Sequence, residues 1–212
     1  MSKAILIMGE SGAGKTTSLR SLPPDKTLYI DADGKGLSWK GWRKDFNAQK
    51  KNYARTSNVG QVMAFLEKAK TVEQIQYVVI DTINAIMLDY EMANAKQKGF
   101  DKWIDLADFA YSICRKASDL REDQIVIVVG HSETITTDDG YRLTRLKTNG
   151  RKLEKIVLAS KFTTVLLAKQ TNNGYKFITR GENTTAKTPM GMFDQDEIDN
   201  DIQLVIKEMK EY

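Results

Sequence analysis

Gly9-Glu10-Ser11-Gly12-Ala13-Gly14-Lys15-Thr16 sets a glycine, four residues, then Gly-Lys-Thr, which is the spacing of a loop that cradles phosphate. The glycines let the backbone turn so tightly that successive N–H groups point at one anion. In such a loop Lys15 reaches the β- and γ-phosphates, Thr16 gives a hydroxyl to Mg²⁺, and residues Gly9 to Thr17 together hold the ATP phosphates. Three other residues sit where chemistry on that phosphate needs them. Asp81 ends the apolar run Tyr77-Val78-Val79-Ile80 and either holds Mg²⁺ with Thr16 or caps the next helix. Asp33, and less so Asp31, follows a second strand and either orients an attacking water or only turns the chain with Gly34. His131 follows a further apolar strand and is either a γ-phosphate contact or a structural histidine.

These residues must be positioned by strands that end side by side. Ala4 to Met8, Thr27 to Ile30, Tyr77 to Thr82 and Ile125 to Val129 are short apolar runs, as in strands covered on both faces. Between them the periodicity predicts helices over Lys15–Leu22 (stopped by Pro23-Pro24), from Ser57 or Asn58 through Ala69, over Ile83–Lys98 and over Lys102–Leu120. Lys35 to Gln49 reads as a loop or irregular helix. Trp39, Trp42 and Phe46 within it are either core packing or a surface for stacked bases. Thr134–Thr137 and Tyr141–Leu146 alternate around Asp138-Asp139-Gly140, a hairpin. A short helix over Lys152–Ala159, strands over Phe162–Ala168 and Tyr175–Thr179, a loop over Thr184–Phe193 and an amphipathic helix over Glu197–Lys210 complete the chain. The expected fold is α/β, a mostly parallel sheet flanked by helices with an antiparallel edge, in one domain spanning residues 1–212.

Composition narrows the function classes. One cysteine and one histidine exclude a disulfide framework and Cys/His zinc sites, and Cys114 reads as a core residue. No run suits a signal peptide or a bilayer span, so a soluble, cytoplasmic protein is expected. The net charge of +4 is unevenly spread: Tyr141 to Lys187 holds eleven basic and two acidic residues, while Asp194 to Tyr212 holds seven acidic residues against Lys207 and Lys210. Arg142, Arg145, Lys147, Arg151 and Lys152 crowd the hairpin and its following loop, residues 133–152, a candidate grip for single-stranded DNA.

Gly9 to Thr16, Tyr29 to Gly34, Val78 to Thr82, Val129-Gly130-His131 and Thr188 to Phe193, in this order, resemble the small phage ATP-binding proteins with a RecA-type core, which include the Sak-type single-strand annealing ATPases. The resemblance implies a RecA-like P-loop fold and a Mg-ATP site of Lys15, Thr16 and Asp81. It puts Asp33 where relatives carry a water-activating Glu, His131 at the γ-phosphate sensor, and the hairpin at the DNA-binding loops. It further implies a homo-oligomer in which Lys187 or Arg180 of one subunit completes the site of the next. The expected function is then an ATP-dependent, single-stranded-DNA-binding recombination protein of phage, acting in the host cytoplasm beside a single-strand binding or replication protein. Two alternatives stay open: a small-molecule or nucleotide kinase with Arg142, Arg145 and Arg151 as a lid, and a nucleotide-gated adaptor docking through an acidic helix at 197–210.

Overall fold

The computed structural model describes residues 2–150, 153 and 155–211. Its centre is a nine-stranded sheet in the order β3-β2-β4-β5-β1-β7-β8-β9, with β6 paired to the outer half of β5. The strands are β1 (Lys3–Gly9), β2 (Thr27–Asp31), β3 (Tyr53–Arg55), β4 (Tyr77–Asp81), β5 (Ile125–Thr136), β6 (Arg142–Leu146), β7 (Thr164–Thr171), β8 (Gly174–Ile178) and β9 (Glu197–Asp199). From β3 to β7 all neighbours are parallel, and the β7-β8, β8-β9 and β5-β6 pairs are antiparallel. This is the α/β architecture of a phosphate-loop NTPase, with the antiparallel edge that the sequence predicts.

Two apolar layers cover the sheet. Alternate residues of β1, β4 and β5 point to one side, against α2 (Val59–Thr71), α3 (Ile83–Ala93) and α4 (Asp101–Lys116). The others meet Leu19, Leu22, Phe46 and the final helix α5 (Ile202–Glu211). Asn58 caps α2 by accepting from Gln61 N, as its residue type foretells. Trp39 and Trp42 resolve as packing: Trp39 meets Phe46 edge-on at 6.1 Å, and Trp42 lies 5.1 Å from Tyr53 beside the short α1 (Trp42–Asp45).

Three expectations are corrected. Only a 3-10 turn, Thr17–Leu19, follows the phosphate loop instead of a helix over Lys15–Leu22. Thr16 and Thr17 are poor helix formers, and Ser18 donates its hydroxyl to Lys15 O at 2.6 Å, competing with the backbone ladder. At the other end, residues 197–199 pair with the open edge of β8 instead of coiling, and α5 starts after Asp201, whose carboxylate accepts from Gln203 N. The acidic residues therefore lie mostly ahead of the helix. Within α5, Lys207 and Lys210 balance Glu208 and Glu211, and Ile202, Val205, Ile206 and Met209 are buried, so no acidic docking helix spans 197–210. Lastly, the strand predicted over Ile125–Val129 and the first hairpin strand are one strand of 12 residues. Of the helix predicted over Lys152–Ala159, Lys152 and Glu154 lie outside the described residues; residues 155–157 are turn, bend and irregular chain instead of helix, and a 3-10 turn at Leu158–Lys161 follows. No helix among the described residues is long and apolar enough to cross a membrane.

Candidate active site

Parallel register brings the predicted residues to one edge. Gly9 at the end of β1 stands beside His131 on β5, Val129 on β5 beside Asp81 at the end of β4, and Asp81 beside Asp31 at the end of β2. The carboxyl ends of adjacent parallel strands are where such sheets bind ligands. Gly12 and Gly14 have φ of +80° and +88°, which an L side chain rarely adopts, so their glycines are required by the turn. Gly9 is needed for proximity: a Cβ there would lie 2.7 Å from Ala168 O.

Lys15 is buried, its Nζ donating to Gly9 O and Glu10 O at 2.8 Å each. Burial lowers its pKa to about 8, against partial opposition from Asp81. Thr16 Oγ1 donates to Asp81 Oδ2 at 2.8 Å, and Tyr29 Oη donates to the same oxygen at 2.6 Å. Asp81 Oδ1 is buried with no partner among the described residues. Burial pushes the Asp81 carboxyl up, although both hydrogen bonds favour its ionised form. The alternative of helix capping falls to Thr82, which accepts from Ala85 N at the start of α3. A hard cation fits here: one carboxylate oxygen orphaned in a buried site, next to a hydroxyl, is the oxygen-only donor set that Mg²⁺ takes along with phosphate and water. Among the described residues no cluster of three or more His, Cys, Asp or Glu offers a different kind of metal site.

Asp31 and Asp33 separate by role. Asp31 is buried and accepts from Gly34 N and Gly36 N at 2.8 Å each and from Tyr53 Oη, so it builds the turn. Asp33 emerges from that turn, with Oδ1 accepting from Thr82 Oγ1 at 2.8 Å and Oδ2 paired with Lys35. Burial opposes its ionisation, but the Lys35 and Thr82 hydrogen bonds together hold its carboxyl below the usual range. His131 is half-buried, with Nδ1 3.5 Å from Lys15 Nζ; burial first, then Lys15, keeps its pKa below the ordinary value. Its backbone N–H donates to Asn84 Oδ1 at 2.7 Å, and Asn84 Nδ2 donates to Lys147 O at 2.9 Å.

A family model described as an AAA domain matches residues 1–190. The chain belongs to the AAA-domain family. No curated protein matches it. As an AAA domain it is a nucleotide-binding protein of ATPase type, and Gly9 to Thr17 are the residues its sequence offers for the nucleotide.

The basic residues of this AAA domain divide. Arg142 is exposed and lines a cleft of about 620 Å³ with Glu10, Ser11, Gly12, Thr144 and Asn183. Arg145 is engaged with Glu133 across the hairpin at 3.0 Å, which takes much of its charge from a ligand. Lys147 is exposed beside the Asn84 bridge. Arg151 and Lys152 lie outside the described residues. Arg180 is tied to Asp196 and to the carbonyls of Phe193 and Asp194, whereas Lys187 is exposed beside the start of β7.

Four residues that the motifs do not single out are part of the site: Tyr29, Lys35, Thr82 and Asn84. A signal existed for two of them. A tyrosine inside a fully buried strand needs a partner for its hydroxyl, and a polar Asn among the apolar residues of a helix's first turn, Ile83, Ala85 and Ile86, needs one for its amide.

Proposed function

We propose that this AAA domain is a Mg²⁺-dependent ATPase whose nucleotide state controls a grip on single-stranded DNA, in the manner of the phage recombination proteins that its motifs resemble. The observation that carries the reading is the continuity of β5. The strand runs unbroken from Ile125 to Thr136, so His131, which stands beside Gly9, and Ser132, which pairs with Leu146 at the base of the hairpin bearing Arg142 and Lys147, are consecutive residues of one strand. A change at the phosphate end moves the hairpin with it.

The chain's own groups supply the hydrolytic step. Lys15 and His131 would face the terminal phosphate, and Thr16 and Asp81 would hold Mg²⁺, which would neutralise phosphate charge there. Asp33, fixed by Thr82, accepts a proton from water as the water oxygen bonds the γ-phosphorus and the bond to the β,γ-bridging oxygen breaks, giving ADP and inorganic phosphate. Lys35 occupies the second Asp33 oxygen until a polyanion draws it away. In an assembled homo-oligomer, Lys187 is favoured over Arg180 as the cation offered to a neighbouring site, because Arg180 is already paired.

The deciding experiment is ATP turnover with and without single-stranded DNA, together with DNA binding across a salt series. Stimulation with a steep salt dependence is expected. Turnover indifferent to DNA, with phosphate passed to a nucleoside or nucleotide acceptor, points to the second reading, a kinase. That reading draws support from Arg142, which lines the cleft beside Glu10 to Gly12.

A further inference from the structure

A second cleft, of about 480 Å³, opens beyond the phosphate loop, lined by Thr17, Arg20, Tyr175 and Leu204 and by Asn200 between its neighbours Asp199 and Asp201. It begins where the phosphate cradle ends. A Cβ on Gly14 would lie 2.8 Å from Tyr175 Cδ1 and 3.2 Å from Asn200 Oδ1, so the bare backbone at Gly14 is what lets both side chains reach the loop. The two sides of the cleft are also tied to each other: Arg20 Nη1 donates to Thr17 O at 3.0 Å and to Asn200 O at 3.2 Å. Ser21 donates to Asp201, fixing the residue after Asn200.

Asn200 is 6% exposed, yet its Nδ2 has no hydrogen-bond partner among the described residues. A buried amide left unused is uncommon in a folded chain and asks for a ligand group. An amide offers one donor and one acceptor side by side. Adenine presents the complementary pair, the N7 acceptor beside the N6 amino donor, whereas guanine presents two acceptors, N7 and O6, of which an amide satisfies one. Tyr175 is 44% exposed and stands over Gly14, so its ring offers a free face next to the cradle. Aromatic faces of this kind stack on bases without regard to their identity.

We infer that Tyr175 and Asn200 form the base-reading end of the nucleotide site, Tyr175 by stacking and Asn200 by selecting adenine over guanine. The inference rests on reading Gly9 to Thr17 as the triphosphate cradle, and the triphosphate and the base are therefore tested separately. Binding of ATP, GTP and inorganic tripolyphosphate, each with Mg²⁺, is measured on the full chain and on Asn200→Ala, Asn200→Asp and Tyr175→Ala. The parent chain prefers ATP to GTP. Asn200→Ala reduces that ratio by about tenfold or more, the size of one bidentate base interaction, whereas Asn200→Asp, an acceptor that suits adenine N6–H and repels both guanine acceptors, keeps the preference for ATP. Tyr175→Ala weakens ATP and GTP alike by about tenfold while tripolyphosphate binds as before. Because the ratio is taken within one sample, an unfolded fraction lowers both terms equally and leaves it unchanged. Equal ATP and GTP affinity in the parent chain, an unaltered ratio in Asn200→Ala, or a preference for GTP in Asn200→Asp overturns the inference while tripolyphosphate binding still upholds the cradle. Failure of the parent chain to bind any of the three overturns the cradle reading itself.

Discussion

Lys15 and His131 face each other across the ends of two adjacent strands, Nζ to Nδ1 at 3.5 Å, while the Lys15 ammonium is otherwise held by the carbonyls of Gly9 and Glu10. Burial lowers both pKa values, and the Lys15 charge lowers that of His131 further. A phosphate placed between them offsets the desolvation and the repulsion at once.

ATP affinity should therefore depend on pH with a definite sign. The free site releases the Lys15 proton near pH 8, and the bound polyanion restores it, so affinity falls as pH rises through about 8, by up to about tenfold per pH unit. Calorimetry at that pH in two buffers of different ionisation heat should report proton uptake on binding. For the free protein, the unfolded chain binds more protons between about 8 and 10.5, so this group makes folding stability rise with pH in that window. Proton release on binding contradicts the assignment.

Asp81→Asn should leave the nucleotide-free protein at least as stable as the parent. The carboxyl's folded-state pKa is raised by burial, so its charge disfavours the fold once pH rises above the unfolded value, and an amide removes that charge. The same change should abolish the melting-temperature increase that Mg²⁺ with ATP confers. Thermal melts with and without Mg-ATP test both halves; a free variant melting well below the parent, with its Mg-ATP response intact, would falsify the metal role.

Asp33→Asn should bind ATP normally but turn it over about a hundredfold more slowly, the lower range for loss of a general base. Lys35→Ala leaves the base in place but removes its strongest hydrogen bond, so the Asp33 pKa rises. The acid limb of the kcat/KM profile, which reports the free enzyme, should then move to higher pH. An unmoved limb separates Lys35 from the chemistry.

Arg142→Ala and Lys147→Ala should each weaken single-strand binding and flatten its dependence on log salt by about 0.7 for every phosphate no longer neutralised. Arg145→Ala should change the slope less, because Arg145 is engaged with Glu133. A slope identical to the parent's in the Arg142/Lys147 double variant removes the hairpin from the interface.

Gly9→Ala and Gly12→Ala separate two reasons for glycine. At Gly9 the new methyl meets a backbone carbonyl at 2.7 Å, an overpacking cost of about 1–3 kcal/mol. At Gly12 none of the described residues stands within 4 Å, and the cost is the left-handed backbone alone, about 1–2 kcal/mol. Denaturant unfolding should rank the Gly9 variant as the less stable; the opposite order means that the loop yields at Ala168.

What could be read from the sequence follows from how local each cause is. The phosphate loop, the apolar strands β1, β4 and the first half of β5, and the Asn58 cap are written within a few neighbouring residues. The short strands β3 and β9 are not. Tyr53-Ala54-Arg55 has no alternation and pairs because β2 offers an edge, and Glu197–Asp199 extends because β8 does. In the site, the types and places of Lys15, Thr16 and Asp81 were legible. The division of work between Asp31 and Asp33 was not, because it depends on Gly36, Tyr53 and Thr82, residues brought near only by the fold.

The unbroken run of β5 limits how this protein can vary. Its outer half alternates sides in step with β6 around the turn at Asp138-Asp139-Gly140. Residues added to both arms at that tip would lengthen the arm and leave the base untouched. One residue inserted in β5 near Ser132 would turn Glu133 to Thr136 to the opposite surface and put them out of step with β6. Variation in reach should therefore collect at the far tip, with the root of the arm held constant by geometry.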